Sequence, residues 1–433
     1  MDRKHFVIDP IHGDIEIPHW LMQIKDELPI RRMNNIKQLG LKALVNFPGA
    51  IHTRYLHSLG TMYLAGKLAD LLIQKEETKG RTDLKKNLIN NKECLQAAGF
   101  FHDIGHGPFS HVLDFVMKTA LKTDHEKMGV KIVKENFKDV LEEESIPVDS
   151  VCRIITAKHK YPFLGDIINN SMDIDKVDYL IRDSYFVGLK YNFDLGHFLD
   201  QVTICGEGNA LEEYKLVLED TKEAKSSIEL FLLIWKTMYD LVYHVSASRT
   251  AEKMLEKAIL EALKIDKGLE TKMSDAKEFI TIDEYNLLDQ VSKSGEFSKK
   301  LVEMIKKNNL YSELWSDELR EPNFSLNERF MESLRSVDSA SEKITHELCT
   351  ARSEPYILIC DIIRTKAPRN ILVDKLDKEG EPIQMESSII EALKKEELTI
   401  KVYIEPTLNK KKGKSLAKTI KKEVQKIIEE WKG

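Results

Sequence analysis

The stretch Phe101–His111, FHDIGHGPFSH, constrains this chain more than any other part of the sequence. Four side chains that can bind metal or phosphate, His102, Asp103, His106 and His111, lie within these residues. The Gly-His-Gly-Pro sequence predicts that a helix ends here, because proline disfavours helix at the preceding residue. Adjacent side chains on a helix diverge by about 100°, so His102 and Asp103 can share an ion only with ligands from a neighbouring helix. We therefore interpret the stretch as a candidate metal or phosphate site rather than as a pair of buried structural histidines.

Composition predicts a mostly helical, soluble globular protein. The 433 residues are 42% hydrophobic and 31% charged, and Leu, Lys, Glu and Ile dominate, which favours helix. The net charge of −6 gives no global attraction to nucleic acid. Five scattered cysteines without a C-x-x-C spacing argue against both a disulfide framework and a zinc finger.

The N-terminus and the apolar runs predict an intracellular protein. No apolar run reaches about 18 residues, so no membrane contact is expected. The opening sequence MDRKHFVIDP lacks the apolar core of a signal peptide. We therefore expect a cytoplasmic location.

Changes in pattern along the chain predict four parts. Residues 1–265 form a helical core that contains the candidate site, and residues 266–346 form a charged helical region. Strand-like alternation in YILICDIIR and LTIKVYIEP predicts a small α+β lobe over 347–408. Residues 409–433 combine a basic run at Lys410–Lys414 with an amphipathic helix. A lysine run is usually a solvated face, so this tail is a candidate only for weak nucleic-acid contact.

Helical periodicity assigns His57 to a buried face. A helix predicted from His57 to about Gln74 has Leu64 and Leu68 on the same face as the histidine. Burying an unpaired histidine is costly, so His57 needs a partner, and a metal ion would be one. The other local predictions are a strand–turn–strand at 5–17, a polar surface connection at 75–91, a helix at 93–104 and a long helical region with an aromatic stripe at 224–263.

A second polar group lies in the predicted helix within Asn169–Leu189. Its residues Asp175, Lys176, Tyr179 and Asp183 follow at spacings that place them on one side of that helix. A later aspartate combined with the two histidines and the aspartate upstream gives two imidazoles and two carboxylates. Such a set suits a borderline transition metal, or Mn²⁺ or Mg²⁺, and a divalent ion there can activate water and polarise a phosphoryl oxygen.

The remaining polar groups near these segments are cations or potential cations. They favour a substrate with several negative charges, and hence phosphate esters over peptides or glycosides. These residues are Arg54, His106, His111, His125 and Lys176.

Taken together, these motifs resemble a known family. The stretches DPIHGDIEI, IKQLG, FPGAIHTRYLHSLG, FHDIGHGPFSH, DHE and MDIDKVDYLIRDS, in that order, are similar to the HD-domain deoxynucleoside triphosphate triphosphohydrolases (dNTPases). The family includes bacterial dNTPases and the mammalian SAM-and-HD-domain enzyme. The resemblance implies hydrolysis of dNTP to deoxynucleoside and inorganic triphosphate, with a divalent ion (Mn²⁺, Mg²⁺, Fe²⁺, Zn²⁺ or Ni²⁺) and a dNTP substrate. It also implies a homo-oligomer, either a dimer or a tetramer.

The same resemblance implies roles for individual residues. The implied metal ligands are His57, His102, Asp103 and Asp175. The implied catalytic group that protonates the leaving oxygen is His111, Asp114 and His125. The implied substrate-binding residues are Gln38, Leu39, Arg54, His106, Lys176, Tyr179, Asp183 and Tyr243, of which Gln38 and Asp183 match readers of the sugar 3′-hydroxyl and Tyr179 crowds C2′.

Two positions depart from the family pattern. Asn34 stands where an arginine that reads an activating guanine nucleotide is usual, although Arg31 and Arg32 beside it stay available to phosphates. Trp235 stands where an arginine contacts the distal phosphate. The resemblance therefore does not extend to guanine activation or to strict triphosphate preference. Two alternatives stay open: another HD phosphohydrolase activity, such as a nucleotidase or single-strand nuclease, and a non-catalytic nucleotide or nucleic-acid binder.

Overall fold

A computed structural model describes residues 4–208, 210–320, 358–364, 371–378, 380–394, 397–406 and the single positions 418 and 422. It confirms the predicted class, a mostly α protein with a helical core and a small C-terminal α+β lobe. The basic run Lys410–Lys414 lies outside the described residues. None of the helices within the described ranges is long and apolar enough to cross a membrane.

Helices account for most of the described chain. The helices of the first half are α1 His19–Ile24, α2 Leu28–Met33, α3 Leu41–Val45, α4 Arg54–Thr78, α5 Thr82–Phe101, α6 Ser110–Ala120, α7 His125–Asn136, α8 Lys138–Glu143, α9 Val148–Ile155, α10 Pro162–Ile168, α11 Ile174–Val187 and α12 Leu195–Asp200. Those that follow are α13 Lys222–Met238, α14 Ser246–Leu263, α15 Lys267–Ser274, α16 Ala276–Phe279, α17 Glu284–Lys293, α18 Glu296–Lys306 and α19 Ser388–Leu393, with a π-helical turn at Tyr239–Tyr243 and a 3₁₀ turn at Leu211–Glu213.

The long helices α4 and α5 pack against each other at the centre of the core. Leu64, Leu68 and Leu72 of α4 are almost fully buried, so burial of apolar surface holds this helix in place. A Cβ on Gly99 of α5 would lie 2.9 Å from the carbonyl oxygen of Thr61. This glycine therefore lets the two helix backbones approach closely, next to the C-terminal end of α5.

The predicted strand–turn–strand near the N-terminus is confirmed. Strands β1 (Phe6–Asp9) and β2 (Gly13–Glu16) pair antiparallel. Ile15 of β2 is fully buried and anchors the hairpin on the core. In the turn, the Asp9 carboxylate accepts the backbone N–H groups of Ile11 and His12, each at 2.9 Å.

Two small sheets join distant parts of the sequence. The first has the strand order β3 (Val202–Cys205), β4 (Lys215–Leu218), β7 (Leu372–Leu376), β8 (Pro382–Gln384), with β4 and β7 parallel. The second has the order β5 (Ser312–Arg320), β9 (Glu397–Ile404), β6 (Leu358–Arg364), and both of its pairings are antiparallel. The strands predicted in YILICDIIR and LTIKVYIEP thus lie side by side. The four-part division of the chain stays a prediction.

Three local predictions were wrong. Residues 75–91 are largely helical, because their lysines pair with acidic groups along the solvent-facing sides of α4 and α5, as in Lys85 with Glu77 at 2.6 Å. The helix predicted at 93–104 begins at Thr82 and ends at Phe101. Residues 312–320 form a strand rather than a helix, because β9 pairs with them over their whole length.

Candidate active site

Three segments of the chain bring all four predicted metal ligands together. His57 lies in the first turn of α4, His102 and Asp103 lie in the turn that follows α5, and Asp175 lies in the first turn of α11. His102 continues the last turn of α5, because its backbone angles are helical and its N–H bonds the carbonyl oxygen of Ala98. The rings of His57 and His102 are 5.1 Å apart, and Asp103 lies 3.6 Å from His57 Nε2, so both residues lie beside His57. His57 and Asp103 are buried, while Asp175 keeps 29% of its side chain exposed.

The spacing of these four groups fits a metal ion. Asp175 Oδ1 lies 3.0 Å from His57 Nε2 and 3.5 Å from His102 Nε2. Asp103 places one oxygen 3.3 Å from His102 Nε2 and the other 3.6 Å from His57 Nε2. Ligand atoms that bind one ion at about 2.1 Å lie about 3.0–3.4 Å apart in octahedral or tetrahedral geometry. His57, His102 and Asp175 can thus converge on one ion, with Asp103 beside them.

The Nε2 atoms of both histidines point toward this space. His102 Nδ1 donates to the carbonyl oxygen of Gly99 at 2.8 Å, which leaves Nε2 as the possible ligand. That Nε2 atom is buried and has no hydrogen-bond partner among the described residues. A buried polar atom without a partner is costly, and a bound cation would satisfy it. The residues present therefore fit a divalent metal.

The electrostatics of the site also favour a cation. Burial opposes a charge on His57, yet hydrogen bonds to Asp175 and Asp178 raise the pKa of the imidazole to about 10. Burial would likewise raise the pKa of Asp175, but His102 and His57 hold it well below the ordinary range of a carboxyl. The acidic groups thus stay ionised at neutral pH and stabilise positive charge at their centre.

Asp178 contacts the candidate site, although it was not among the site residues predicted from the sequence. It lies one turn after Asp175, and its Oδ2 accepts from His57 Nδ1 at 2.7 Å. Arg182 and His12 hold the same carboxylate, which is fully buried. Burial acts to raise the pKa of Asp178, and Arg182, His12 and His57 together lower it far more. Its position could have been inferred from the sequence, because Asp178 lies three residues after Asp175 and residues at that spacing share one side of a helix.

A second histidine group lies beside the metal candidates. His106 and His125 stack with ring centroids 3.9 Å apart, and His125 Nδ1 lies 2.8 Å from Asp114 Oδ1. Burial and the nearby Arg54 lower the pKa of His106 well below its ordinary value, so this ring is neutral. Gly105 permits the stack, because a Cβ there would lie 2.0 Å from the carbonyl oxygen of His125.

Two of the three predicted catalytic residues, Asp114 and His125, contact each other. The third, His111, is more exposed to solvent than either of them. Burial would raise the pKa of Asp114, but its hydrogen bond to His125 holds that pKa well below the ordinary range. His111 lies exposed in the first turn of α6.

The two predicted phosphate-binding cations lie beside the site with carboxylate partners. Arg54 is buried, pairs with Asp103 and donates from Nε to Ser110 Oγ at 2.7 Å. Lys176 Nζ lies 2.5 Å from Asp173 Oδ2, and Asp173 also caps the N-terminus of α11. Both cations are therefore held at the edge of the candidate metal site.

A third cluster gathers the predicted sugar-binding residues. Asp183 is 2% exposed and accepts from Tyr243 Oη on one oxygen and from His52 Nε2 on the other, each at 2.7 Å. The rings of Tyr179 and Tyr243 are 6.2 Å apart, and Tyr179 lies 6.4 Å from the ring of His57. This cluster therefore adjoins the metal candidates. His52 was not predicted, although it lies two residues before Arg54 in the same stretch.

The IKQLG segment lies against this cluster. The backbone N–H of Gln38 donates to the carbonyl oxygen of His52 at 3.0 Å, and Leu39 is 5% exposed. The side-chain oxygen of Gln38 is buried, and no described residue donates a hydrogen bond to it. A substrate hydroxyl would satisfy that oxygen.

The two departures from the family pattern lie beside buried side chains, and the prediction that Arg32 can bind phosphates is wrong. Arg32 is buried and is not available to phosphates, because its guanidinium donates to the backbone carbonyls of Ile104, His106 and Ile282. It thereby supports the turn that presents His102 and Asp103. Trp235 is also buried and packs on Tyr239 with ring centroids 4.8 Å apart. Phe231 and Trp235 of α13 are therefore core, whereas Tyr239 and Tyr243 of the π-helical turn reach the site, Tyr239 by contacting Tyr179.

The candidate site lies within a part of the chain that a known protein family matches. The HD domain family matches residues 54–183, and the HD associated region matches residues 207–427. A Dictyostelium discoideum protein named deoxynucleoside triphosphate triphosphohydrolase SAMHD1 homolog is 32% identical over 326 residues, 70% of this chain and 58% of that protein. An uncharacterized protein of Methanocaldococcus jannaschii is 32% identical over 308 residues, 71% of this chain and 58% of that protein. Human deoxynucleoside triphosphate triphosphohydrolase SAMHD1 is 31% identical over 294 residues, 60% of this chain and 45% of that protein. The chain thus spans less than two thirds of the length of these relatives.

Proposed function

This chain belongs to the HD-domain family, with an HD-associated region after the HD domain, and from that premise we propose that it is a metal-dependent dNTP triphosphohydrolase. It would convert a deoxynucleoside triphosphate and water to the deoxynucleoside and inorganic triphosphate. The observation that supports this proposal most is that the candidate metal ligands lie next to the predicted sugar-binding residues. His57, His102 and Asp175 converge on one point, and the Asp183–Tyr243 pair adjoins them through Tyr179.

The ligand set and the nearby cations fit hydrolysis of a polyphosphate. His57, His102, Asp103 and Asp175 would hold Mn²⁺, Mg²⁺, Fe²⁺, Zn²⁺ or Ni²⁺, which when bound supplies Lewis-acid stabilisation of a phosphate oxygen and activation of water. Arg54 and Lys176 offset the negative charge of the triphosphate. Their carboxylate partners, Asp103 and Asp173, keep both side chains oriented at the edge of the site before substrate arrives.

The His125–Asp114 pair is suited to protonate the leaving group. Water attacks the α-phosphorus, the bond from phosphorus to the sugar 5′-oxygen breaks, and that oxygen needs a proton. Asp114 accepts the Nδ1–H of His125, so the opposite nitrogen, Nε2, is the one that faces substrate as general acid. His106 stacks on this ring and, being neutral, adds no repelling charge. His111 completes the predicted catalytic group.

The third cluster would select a deoxyribose. Asp183 and Gln38 would hydrogen-bond the 3′-hydroxyl, and Leu39 would pack on the sugar. Tyr179 would occupy the space at C2′, where a ribose bears a second hydroxyl. Such a site rejects ribonucleotides because the extra hydroxyl has neither space nor a partner.

One observation favours a second candidate, a nucleotidase of the same family. The side chain at position 235 is a buried tryptophan, so it offers no positive charge to a distal phosphate. A site with fewer distal contacts would accept substrates with fewer phosphates. The product distinguishes the two activities: a dNTPase releases tripolyphosphate, whereas a nucleotidase releases orthophosphate.

The test is product analysis with the metal-stripped full chain and added Mn²⁺. Ion chromatography of the products from dATP and ATP should give tripolyphosphate and deoxyadenosine from dATP, with little product from ATP. Asp139→Asn, an exposed aspartate outside the site, serves as the control for Asp175→Asn. Orthophosphate as the first product, or equal turnover of ATP and dATP, would contradict the dNTPase assignment.

We also propose that the enzyme is a homo-oligomer, a dimer or a tetramer, and that its activity does not require GTP. Asn34 is exposed at the end of α2, and the adjacent Arg32 is engaged with backbone carbonyls. Guanine is read best by the planar fork of an arginine, and an amide side chain cannot reproduce that contact. Light scattering with and without GTP, in parallel with the dNTP assay, tests both statements. Strict dependence of activity on GTP would contradict the second.

A further inference from the structure

We propose that the N-terminal hairpin β1–β2 positions the metal site, because His12 directly, and Asp9 through Arg182, hold the carboxylate of Asp178, which in turn fixes the ring of His57. Asp178 and the hairpin would be positioning residues, since none of them lies where it could bind the ion itself. The inference rests on the proposed metal-dependent function. It extends that function to a segment 45 residues before the first predicted ligand, counted from His12 to His57.

The first step is the contact between Asp178 and His57. An ionised carboxylate can only accept a hydrogen bond, so the 2.7 Å contact requires a hydrogen on His57 Nδ1, whether or not Nε2 also carries one. The other nitrogen, Nε2, then faces Asp175 and Asp103. An imidazole binds metal through the nitrogen whose opposite partner is fixed in this way. Asp178 therefore sets the direction of the ring and, when a cation replaces any hydrogen on Nε2, the tautomer that binds it.

The second step is the group of donors that hold Asp178. Arg182 Nε donates to Oδ2 at 2.8 Å, and its Nη2 donates to Oδ1 at 3.0 Å. His12 Nε2 donates to Oδ1 at 2.6 Å from the hairpin turn. The side chains of His12, Asp178 and Arg182 are all at most 1% exposed. With both oxygens occupied from fixed directions, the carboxylate cannot rotate away from His57.

The third step is the link from Arg182 back to the hairpin. Arg182 Nη1 lies 2.6 Å from Asp9 Oδ2, and Asp9 Oδ1 accepts the N–H groups of Ile11 and His12. The hairpin turn thus binds the network at two points, through Asp9 and through His12. A two-stranded hairpin is only marginally stable by itself, so its position depends on these buried contacts and on the burial of Ile15.

The side chains of Asp178 and Arg182 pack closely against the backbone of α4, which leaves them little room to move. Gly60 lies one turn after His57, and a Cβ there would be 1.9 Å from Asp178 Oδ1 and 2.5 Å from Arg182 Nη2. The carboxylate therefore lies directly on the backbone of the helix that presents His57. Burying so many charges has a large desolvation cost, which a purely structural role could have avoided with apolar side chains.

The experiment measures Mn²⁺ affinity by isothermal titration of the metal-stripped full chain. Partners of metal-binding histidines typically contribute ten- to hundredfold to metal affinity, so we expect Asp178→Asn to weaken Mn²⁺ binding by about that factor. His12→Leu, which keeps an apolar side chain against Tyr63 but removes the donor, should weaken it in the same direction. His12→Gln, whose amide can still donate to Asp178, should retain most of the affinity. Asp14→Asn, exposed in the same hairpin, is the matched control and should match wild type.

The thermal midpoint of each variant in chelator separates positioning from folding. Lower midpoints with unchanged Mn²⁺ affinity in Asp178→Asn and His12→Leu would overturn the inference and make the network purely structural. If Asp178→Asn does not fold, Gly60→Ala displaces the same carboxylate from the other side, and unchanged affinity there would equally overturn it. A wild-type protein that neither binds Mn²⁺ nor hydrolyses dNTP would overturn the proposed function as well. Wild-type binding with unaffected variants would overturn this inference alone.

Discussion

Replacing Tyr243 by Phe tests the proposed recognition of the sugar 3′-hydroxyl separately from the other functions of the site. The change removes one oxygen, which donates to Asp183 Oδ2 at 2.7 Å, and keeps the ring that packs near Tyr179. Among the described residues, Asp183 then keeps His52 as its one side-chain donor, on the other oxygen. With one of its two donors lost, the carboxylate can pivot about that remaining contact, and its orientation toward a 3′-hydroxyl is no longer fixed.

The expected magnitude follows from the burial and charge of this contact. Asp183 is 2% exposed, so water cannot replace the lost donor freely. A hydrogen bond to a charged group contributes about 1.5–3 kcal/mol, and each 1.4 kcal/mol corresponds to about tenfold. We therefore expect kcat/KM for dATP to fall by about 10- to 150-fold.

The assay compares dATP with 2′,3′-dideoxyATP, which lacks the hydroxyl that Asp183 is proposed to read. The loss in Tyr243→Phe should appear with dATP and largely disappear with the dideoxy substrate. Tyr191→Phe is the matched control, because no hydrogen-bond partner for the buried Tyr191 hydroxyl exists in the described part of the chain. An equal loss on both substrates would show that the Tyr243 hydroxyl acts on another part of the substrate or on folding, and would refute the proposed role in reading the 3′-hydroxyl.

Three further predictions concern the metal, the proton donor and pH. Asp175→Ala should abolish hydrolysis and Mn²⁺ binding while the far-ultraviolet circular dichroism stays helical, and elemental analysis showing a full complement of metal would contradict it. Asp114→Asn should lower kcat by up to about a hundredfold with little change in KM, because His125 loses the carboxylate that orients it. Steady-state kinetics measures both constants. An unchanged kcat would show that Asp114 is not part of the proton-donor pair. Burial raises the pKa of the Asp166 carboxyl from 3.8 to about 6, so the folded protein binds the carboxyl proton more tightly than the unfolded chain does. The free energy of unfolding therefore falls as the pH rises from about 4 to about 6. Asp166→Asn, which keeps an oxygen to accept the Leu216 N–H, should therefore raise the free energy of unfolding in urea by about 1.5 kcal/mol near pH 5 and about 3 kcal/mol near pH 8. A gain that does not depend on pH, or an equal gain in the exposed control Asp220→Asn, would contradict the last prediction.

The sequence by itself determined the class of the fold and the residue types that meet at the site. Helical periodicity is a local property, so the spacing from Asp175 to Asp183 was sufficient to place these residues on one helix, which is α11 in the structure. Turn residues are also local signals, and Asp9–Gly13 indeed forms the turn of the hairpin. The order of the motifs was enough to identify the family, and the catalytic and binding roles of the single residues stay predictions.

Only the tertiary structure decided which side chains support the site. Asp178 contacts His57 across 121 residues of sequence and His12 across 166. No local pattern distinguishes such a buried carboxylate from one that faces solvent, because its partners come from other elements. For the same reason, the strand at Ser312–Arg320 was not predicted, since it exists through pairing with β9 far along the chain. The turn after α5, which places Asp103 beside His57, is likewise held by distant contacts, including those of Arg32 with the carbonyl oxygens of Ile104 and His106.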